Sequence, residues 1–313
     1  MGMTEIKTYS KLGEALAKGE FILTGELEPE KTTDLSHTIS EAKEMAPYVI
    51  AANVTDSPLG IVTINSMAAT HLIQKNAGIE CVWQMTVRDV NKLGIAGMIM
   101  GAHALGIRNV LSLTGDHTAL GDVPEAKPVF DLDSATLVRL VREMVDKGSI
   151  NGNEIEAPPT LHVGAAANPN AEPMGAEVLK IGRKAEAGCE FLQTQVVYDL
   201  DRTIEFLTEI KKYKVPVLLG IFPMKSYGIA KGFDTFVPGV SVPKEILAKW
   251  KSVKTDITDK KQQKELYDQY NYEFFKPFIT ELRQKNLLNG IHCMAVHYPR
   301  IFPKLVEVIK STH

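Results

Sequence analysis

The feature that most constrains the fold is an alternation of short apolar runs with longer amphipathic segments. Eight runs have the length of β-strands, and most of them are almost continuously apolar rather than alternating. Strands that are buried on both faces show this pattern, as in the parallel sheets of α/β proteins. The runs cover residues 21–28, 48–55, 80–87, 109–115, 160–167, 190–197, 215–223 and 290–296.

The segments between the runs have helical periodicity, and glycine stands just past several of them, which is typical of a helix C-terminus. The predicted helices cover residues 35–45, 61–75, 89–105, 133–147, 173–187, 202–213 and 301–309. Eight strands with intervening helices predict a (β/α)₈ TIM barrel rather than an open sheet. The first strand is not followed by GxGxxG, which argues against a dinucleotide-binding Rossmann fold. The long interval between the seventh and eighth strands predicts extra helices there.

Composition limits the function classes. The chain is 44% hydrophobic and 23% charged, which is ordinary for one globular domain over residues 1–313. Its net charge of −3 and scattered basic residues do not favour a nucleic acid or an anionic membrane as partner. The three cysteines lie far apart without CxxC spacing, so we expect no metal site. No apolar run has the length of a membrane span, and we expect a soluble cytoplasmic protein.

Active sites of such barrels lie at the C-terminal ends of the strands. A polar residue closes every apolar run, and together these residues predict a reactive rim. They are Glu26, Glu28, Thr55, Asp56, Gln84, Thr86, Thr114, Asp116, Asn168, Gln195, Lys225 and His297.

Two carboxylates close the first strand. Restricted solvent at the end of a buried strand favours the neutral form of a carboxyl group, which suits Glu26 to a general acid. Glu28 points to the same side and competes for that role. The alternative is a rim carboxylate that only pairs with a lysine or arginine.

Other rim residues have binding and structural interpretations. Gly115 lets a ligand approach the backbone closely before Asp116, although a Gly-Asp pair also forms ordinary turns. The amide of Gln195 matches the edge of a pterin or flavin ring, or else satisfies a backbone group. Lys180 and Lys184 share a helix face that either presents cations to a phosphate or is a solvated, salt-bridged surface.

Taken in order, these residues resemble the methylenetetrahydrofolate reductase family. The motifs are GELEP, NVTDSP, QMTVRD, LTGDH, VFDLDS, GAAANP, RKAEAGCEFLQTQ and GIFP, and they run from about residue 21 to about residue 233. The most specific is R-K-x-x-A-G-x-x-F-x-Q-T-Q at residues 183–195. The family fold is a flavin-binding (β/α)₈ barrel, which agrees with the strand count.

The resemblance implies reduction of 5,10-methylenetetrahydrofolate to 5-methyltetrahydrofolate in one-carbon metabolism, serving methionine synthesis or the acetyl-CoA pathway. Glu26 matches the general acid and Asp116 the aspartate near flavin and pterin. Gln195 matches the glutamine that binds the pterin edge, and Phe233 an aromatic that contacts substrate. The implied cofactor is FAD, with FMN as the alternative. The residues that match flavin contacts are Thr55, Gln84, Thr114, Gly115, Asp116, Ser134, Gly164, Ala166, Asn168, Glu177, Lys180, Arg183 and Lys184.

The motifs also depart from the enterobacterial form of the family. Gln84 replaces a common histidine, Ala166 replaces a tyrosine, and Ile229 stands where a substrate-binding glutamine is expected. These departures resemble the short reductases of anaerobes, some of which receive electrons through a partner subunit rather than from NAD(P)H. An oligomer is expected. Two other functions remain open, a flavin-free pterin- or folate-binding barrel enzyme and a barrel subunit of a larger redox complex.

Overall fold

A computed structural model describes residues 8–236 and 242–311. Residues 1–7, 237–241 and 312–313 of the predicted domain lie outside the described residues. Eight parallel strands form a closed barrel: β1 (Ile22–Leu27), β2 (Ala51–Val54), β3 (Cys81–Thr86), β4 (Asn109–Leu113), β7 (His162–Ala167), β8 (Phe191–Thr194), β9 (Val217–Ile221) and β10 (Gly290–Cys293). Around the barrel their order is β1-β10-β9-β8-β7-β4-β3-β2. A hairpin of β5 (Ser149–Ile150) and β6 (Asn153–Glu154) lies outside the barrel.

Helices surround the barrel and account for most of the intervening chain. The predicted TIM barrel is therefore confirmed, with each apolar run containing one barrel strand. The helices are α1 (Lys11–Ala17), α2 (Ser36–Met45), α3 (Ser66–Ala77), α4 (Lys92–Ala104), α5 (Ser134–Asp146), α6 (Met174–Glu186), α7 (Leu200–Ile210), α8 (Tyr227–Phe236), α9 (Lys244–Asp256), α10 (Lys260–Gln284) and α11 (Phe302–Ser311).

The connection between β9 and β10 contains α8, α9 and α10, which confirms the extra helices predicted there. The start of one predicted helix, at residue 61, is wrong. Leu59 and Gly60 both have positive φ, so the chain turns before α3 begins at Ser66. Asn65 then caps α3 by accepting a hydrogen bond from the Ala68 amide. In the described part of the chain, no helix is long and apolar enough to cross a membrane.

The outward faces of the strands pack against the helices. Trp83 of β3 is fully buried in this layer, and its indole Nε1 donates to Ser66 Oγ of α3 at 2.9 Å. A second apolar cluster fills the lower interior of the barrel, where α1 contributes Leu12 and Leu16 against Phe191 and Leu218. The upper interior is left to polar side chains.

Helix α1, which the sequence did not predict, closes the barrel at the N-terminal ends of the strands. Glu80, just before β3, accepts the Lys11 and Leu12 amides at 2.8 and 2.9 Å. His162, at the start of β7, accepts the Tyr9 amide at 3.0 Å. Because the carboxylate meets the positive end of the helix, α1 is held over the base of the barrel.

Candidate functional site at the barrel rim

Polar side chains begin halfway up the barrel interior. Asn53 of β2 and Gln193 of β8 lie on opposite walls and are 0% and 2% exposed. Their amides exchange two hydrogen bonds, from Asn53 Nδ2 to Gln193 Oε1 at 2.7 Å and from Gln193 Nε2 to Asn53 Oδ1 at 3.1 Å. This pair separates the apolar base from the rim residues above it.

The predicted acid, Glu26, lies in the interior near the end of β1. Its Oε2 atom accepts a hydrogen bond from Gln84 Nε2 at 2.9 Å and lies 3.4 Å from His292 Nε2. The Glu26 side chain is 13% exposed, and that of His292 is 3% exposed. Three strands, β1, β3 and β10, therefore converge on one partly shielded carboxyl group.

Thr24 is the second hydrogen-bonding partner of His292. Its hydroxyl lies 3.3 Å from the Ile291 carbonyl, to which it donates, and 3.1 Å from His292 Nδ1. The direction of the contact with Nδ1 is set by the tautomer of the imidazole. His292 is thus held between the Thr24 hydroxyl and the Glu26 carboxyl group.

A cavity of about 320 Å³ opens beside this network, where β1, β9 and β10 end. Glu28, Lys225, Phe233 and His297 are among its lining residues. The ring of Phe233, on α8, stacks on Phe222 with centroids 4.1 Å apart. An aromatic wall with charged groups of both signs suits a flat heterocycle with polar edges.

Burial at the cavity shifts the pKa values of Glu28 and Lys225 in the directions that favour their neutral forms. Burial raises the pKa of Glu28, and the neighbouring charge of Glu26 raises it further. Burial lowers the pKa of Lys225, whose Nζ donates to the Val296 and His297 carbonyls at 3.1 and 3.3 Å. Glu28 is thus a second protonatable carboxyl group, as the sequence had indicated.

The ends of β2 and β3 form another part of the rim. Asp56 Oδ2 accepts both the Thr86 amide and the Thr86 hydroxyl at 2.9 Å, and burial raises the pKa of Asp56. The adjacent Thr55 Oγ1 is buried and has no hydrogen-bond partner among the described residues. Buried hydroxyl groups are normally paired, so Thr55 has an unused capacity for a ligand.

Asp116 lies on the loop after β4, apart from Glu26. Its Oδ2 accepts the Leu59 amide at 2.7 Å, and its carbonyl accepts Arg88 Nη1 at 3.1 Å. Arg88, which is 2% exposed, also donates to the Ser57 carbonyl and so ties the loops after β2 and β4 together. Asp116 itself is exposed, as is Thr114. Gly115 between them has φ +90°, a conformation that favours glycine.

Helix α6 carries the four residues expected near a phosphate, and they divide into two pairs. Lys184 is buried and donates from Nζ to the Ala166 carbonyl at 2.6 Å, while Glu177 accepts the Asn168 amide at 3.1 Å. Burial lowers the pKa of Lys184. These two side chains hold the end of β7. The other two, Lys180 and Arg183, have side chains 62% and 55% exposed.

Three further predicted residues have clear local surroundings. Gln195 is exposed just past β8, and its Oε1 accepts the Val196 amide at 3.0 Å. Ser134 begins α5, and its carbonyl accepts the Ser112 hydroxyl at 2.8 Å. Gly164 faces the Phe191 ring so closely that a Cβ there would lie 2.3 Å from it. Glycine is therefore required at residue 164 by packing.

The structure thus joins Glu26 to Gln84, and places Phe233 with Glu28 in the cavity. Among the described residues, no hydrogen bond joins Asp116 or Gln195 to Glu26. Sequence reasoning missed His292, since it lies inside a strand rather than at its end. The signal was the period of two along β10, which places His292 on one face and apolar Ile291 and Cys293 on the other.

Comparison with known proteins points to one family. A family model described as methylenetetrahydrofolate reductase matches residues 11–309. Methylenetetrahydrofolate reductase 2 of Schizosaccharomyces pombe (strain 972 / ATCC 24843) is 26% identical over 254 residues, 78% of this chain and 39% of the yeast protein. The 5,10-methylenetetrahydrofolate reductase of Pectobacterium carotovorum subsp. carotovorum is 23% identical over 240 residues, 74% of each chain. This chain thus spans well under half of the fungal relative.

One solved structure has the same barrel. It is an uncharacterized protein from Clostridium thermocellum that binds two copies of 5-methyl-5,6,7,8-tetrahydrofolic acid. The match has a TM-score of 0.66 and 16% identity, and covers 96% of this chain and 100% of that one. At this identity the likeness concerns the fold alone. The family model, which covers most of the chain and all eight barrel strands, shows that this chain belongs to the methylenetetrahydrofolate reductase family.

Proposed function

We propose that this protein reduces 5,10-methylenetetrahydrofolate to 5-methyltetrahydrofolate with a bound flavin. The observation that carries the proposal is the Glu26 carboxyl group, which Gln84 and His292 hold in the partly shielded barrel interior. Reduction of this substrate consumes one hydride and one proton. Membership of the family supports the choice of substrate, and the carboxyl group supports the proton transfer.

The flavin is proposed because groups able to bind it are present at the rim. Thr55 offers a buried, unpartnered hydroxyl. The backbone of Gly115 is a second proposed contact, and the space that a side chain would take there is filled by Thr86 and Arg88. Lys180 and Arg183 are exposed cations, paired with Glu177 and Asp133, that can turn to phosphates on one side of the barrel. When bound and reduced, the flavin supplies the hydride. FAD is proposed over FMN because Lys180 and Arg183 lie on α6, beyond the ends of the strands, where the longer cofactor would extend.

The protein's own contribution is proton transfer and orientation. Glu26 holds the proton that N10 of the folate takes up as the five-membered ring opens, and His292 returns a proton to Glu26. The negative charge of Asp116 stabilises the cation that ring opening leaves at N5. The exposed amide of Gln195 binds the pterin edge, and Phe233 packs against an aromatic part of the substrate.

The proposal is tested with Glu26→Gln, which keeps the size of the side chain and the contact with Gln84 but removes the acid. Flavin content and folate affinity should be retained. The rate of methylenetetrahydrofolate reduction under anaerobic conditions should fall by about 10²–10⁴-fold, the usual contribution of a general acid. Glu28→Gln is the matched comparison, because it changes the neighbouring carboxyl group in the same way. If only Glu28→Gln abolishes reduction, the acid is Glu28.

The purified protein should be yellow and should be bleached by 5-methyltetrahydrofolate without oxygen. A colourless protein that takes up neither FAD nor FMN would refute the flavin and favour a flavin-free folate-binding enzyme.

We further propose that the protein acts in the cytoplasm as an oligomer. Anaerobic reduction by NADH, NADPH and reduced ferredoxin, compared side by side, identifies the donor. Reduction only through an added subunit favours a role within a redox complex.

A further inference from the structure

Three potential metal ligands meet at the edge of the cavity, and the proposed reaction assigns a chemical role to none of them. Glu30 follows β1, His37 is on α2, and His297 follows β10. One ligand atom from each lies within 4.8 Å of the others, and Glu30 Oε1 is 3.8 Å from His297 Nε2. Ligands about 2.1 Å from a tetrahedral metal are about 3.4 Å apart. Side-chain rotations that bring the three ligand atoms about 1 Å closer together would therefore complete a tetrahedral metal site.

The orientation of His297 is fixed in the way that metal-binding histidines require. Glu41 Oε1 lies 2.8 Å from His297 Nδ1, and its side chain is only 11% exposed. This carboxylate holds the Nδ1 proton and leaves the lone pair of Nε2 directed toward Glu30 and His37. A carboxylate behind a histidine ligand fixes the tautomer and raises its basicity in metal sites. Glu41 lies one helical turn after His37 on α2, so one helix supplies both a ligand and this support.

The local charge also favours a cation. Glu30 and Glu41 both contact His297, and Glu28 lines the adjoining cavity. Lys225 is one positive group nearby, and its Nζ is already held by the Val296 and His297 carbonyls. Another is Lys31, which is paired with Asp122. His37 contributes a second ring 5.2 Å from that of His297. Two imidazoles and a carboxylate select zinc-like divalent cations over Mg²⁺ or Ca²⁺.

We propose that Glu30, His37 and His297 bind one divalent transition-metal cation of the zinc class, with Glu41 hydrogen-bonded to His297 behind it. Three protein ligands leave one tetrahedral position for water or an anion. The cation ties the chain after β10 to α2 and to the chain after β1. Because His297 also lines the cavity, metal binding fixes one wall of the cavity that Glu28 and Phe233 share.

The test is isothermal titration of tag-free protein, first stripped with EDTA and then dialysed, with ZnCl₂. One Zn²⁺ should bind per chain, and excess Mg²⁺ should not displace it. Glu41→Gln should weaken binding by about 10–100-fold, as loss of an outer carboxylate does elsewhere. His37→Ala and His297→Ala should each weaken it at least as much. His71→Ala is the matched control, because it removes a half-buried histidine on α3 outside the cluster.

Circular dichroism and thermal melts establish that each variant is folded. Should His297→Ala fail to fold, the exposed His37 and Glu30 provide the decisive variants, His37→Ala and Glu30→Gln. Binding that survives both of these variants overturns the proposal, as does a wild type that binds no stoichiometric Zn²⁺. Equal loss in His71→Ala would mean non-specific surface binding and would also overturn it.

Discussion

The buried amide pair of Asn53 and Gln193 makes a quantitative test of the barrel interior. Gln193→Met replaces one amide with an apolar side chain of similar length and leaves both polar atoms of the Asn53 amide without their partners. Each buried unpaired group costs about 1–3 kcal/mol, so the free energy of unfolding should fall by about 2–6 kcal/mol. Asn53→Leu leaves the buried Gln193 amide without its partner and should lower the free energy of unfolding by a similar amount.

The double variant Asn53→Leu/Gln193→Met removes both amides together and leaves no buried amide without a hydrogen-bond partner at this position. It should therefore be more stable than either single variant, with a coupling energy of at least about 1 kcal/mol. Urea unfolding followed by circular dichroism measures all four free energies of unfolding. Simple addition of the two single costs in the double variant would refute the argument, since it would mean that the two amides do not depend on each other.

Three further predictions concern the rim. Thr55→Val removes the unpartnered hydroxyl, so the flavin-free protein should gain about 1 kcal/mol of stability while flavin affinity falls, as read by thermal melts and by flavin fluorescence titration. Unchanged stability would contradict the unpaired state of this hydroxyl. Gly115→Ala places a Cβ 2.9 Å from Thr86 Cβ at φ +90°, and should cost about 1–3 kcal/mol in urea unfolding. Burial raises the pKa of folded Glu28 above its usual 4.5, so its contribution to stability is present at lower pH and is lost as pH rises through the folded pKa. Glu28→Gln should therefore flatten the decline in melting temperature from acidic to neutral pH, and an unchanged pH profile would contradict this.

The strands were predictable because each is buried on both faces, and this burial leaves a continuous apolar run in the sequence. Helix α1, which closes the base of the barrel, was not predictable. Helix α1 has only 7 residues, too few for a clear helical period, and it is held by Glu80 and His162, which are far away in sequence. The start of α3 was misplaced because the apolar residues Ile61, Val62 and Ile64 extend the hydrophobic pattern of the helix back toward Gly60. The signals for the later start were the left-handed Gly60 and the N-cap Asn65.

The rim was predictable where a polar residue ends an apolar run, as for Glu26 and Gln84. The partners of these residues were less so, because contacts around a closed barrel join residues far apart in the chain. His292 and Glu26 are separated by 266 positions, and His297 and Glu41 by 256. The same separation explains why no metal site was expected from the sequence, since the proposed ligands come from three distant segments.

Because α1 closes the base of the barrel, the base and the rim differ in their access to small molecules. The Tyr9 amide is bonded to His162 at the base, on the side of the barrel opposite the rim. The base is filled by Leu12, Leu16 and their apolar neighbours, which leaves the rim as the route by which small molecules reach the polar interior. A reporter dye attached at the exposed Lys18, just after α1, would therefore leave the cavity unobstructed.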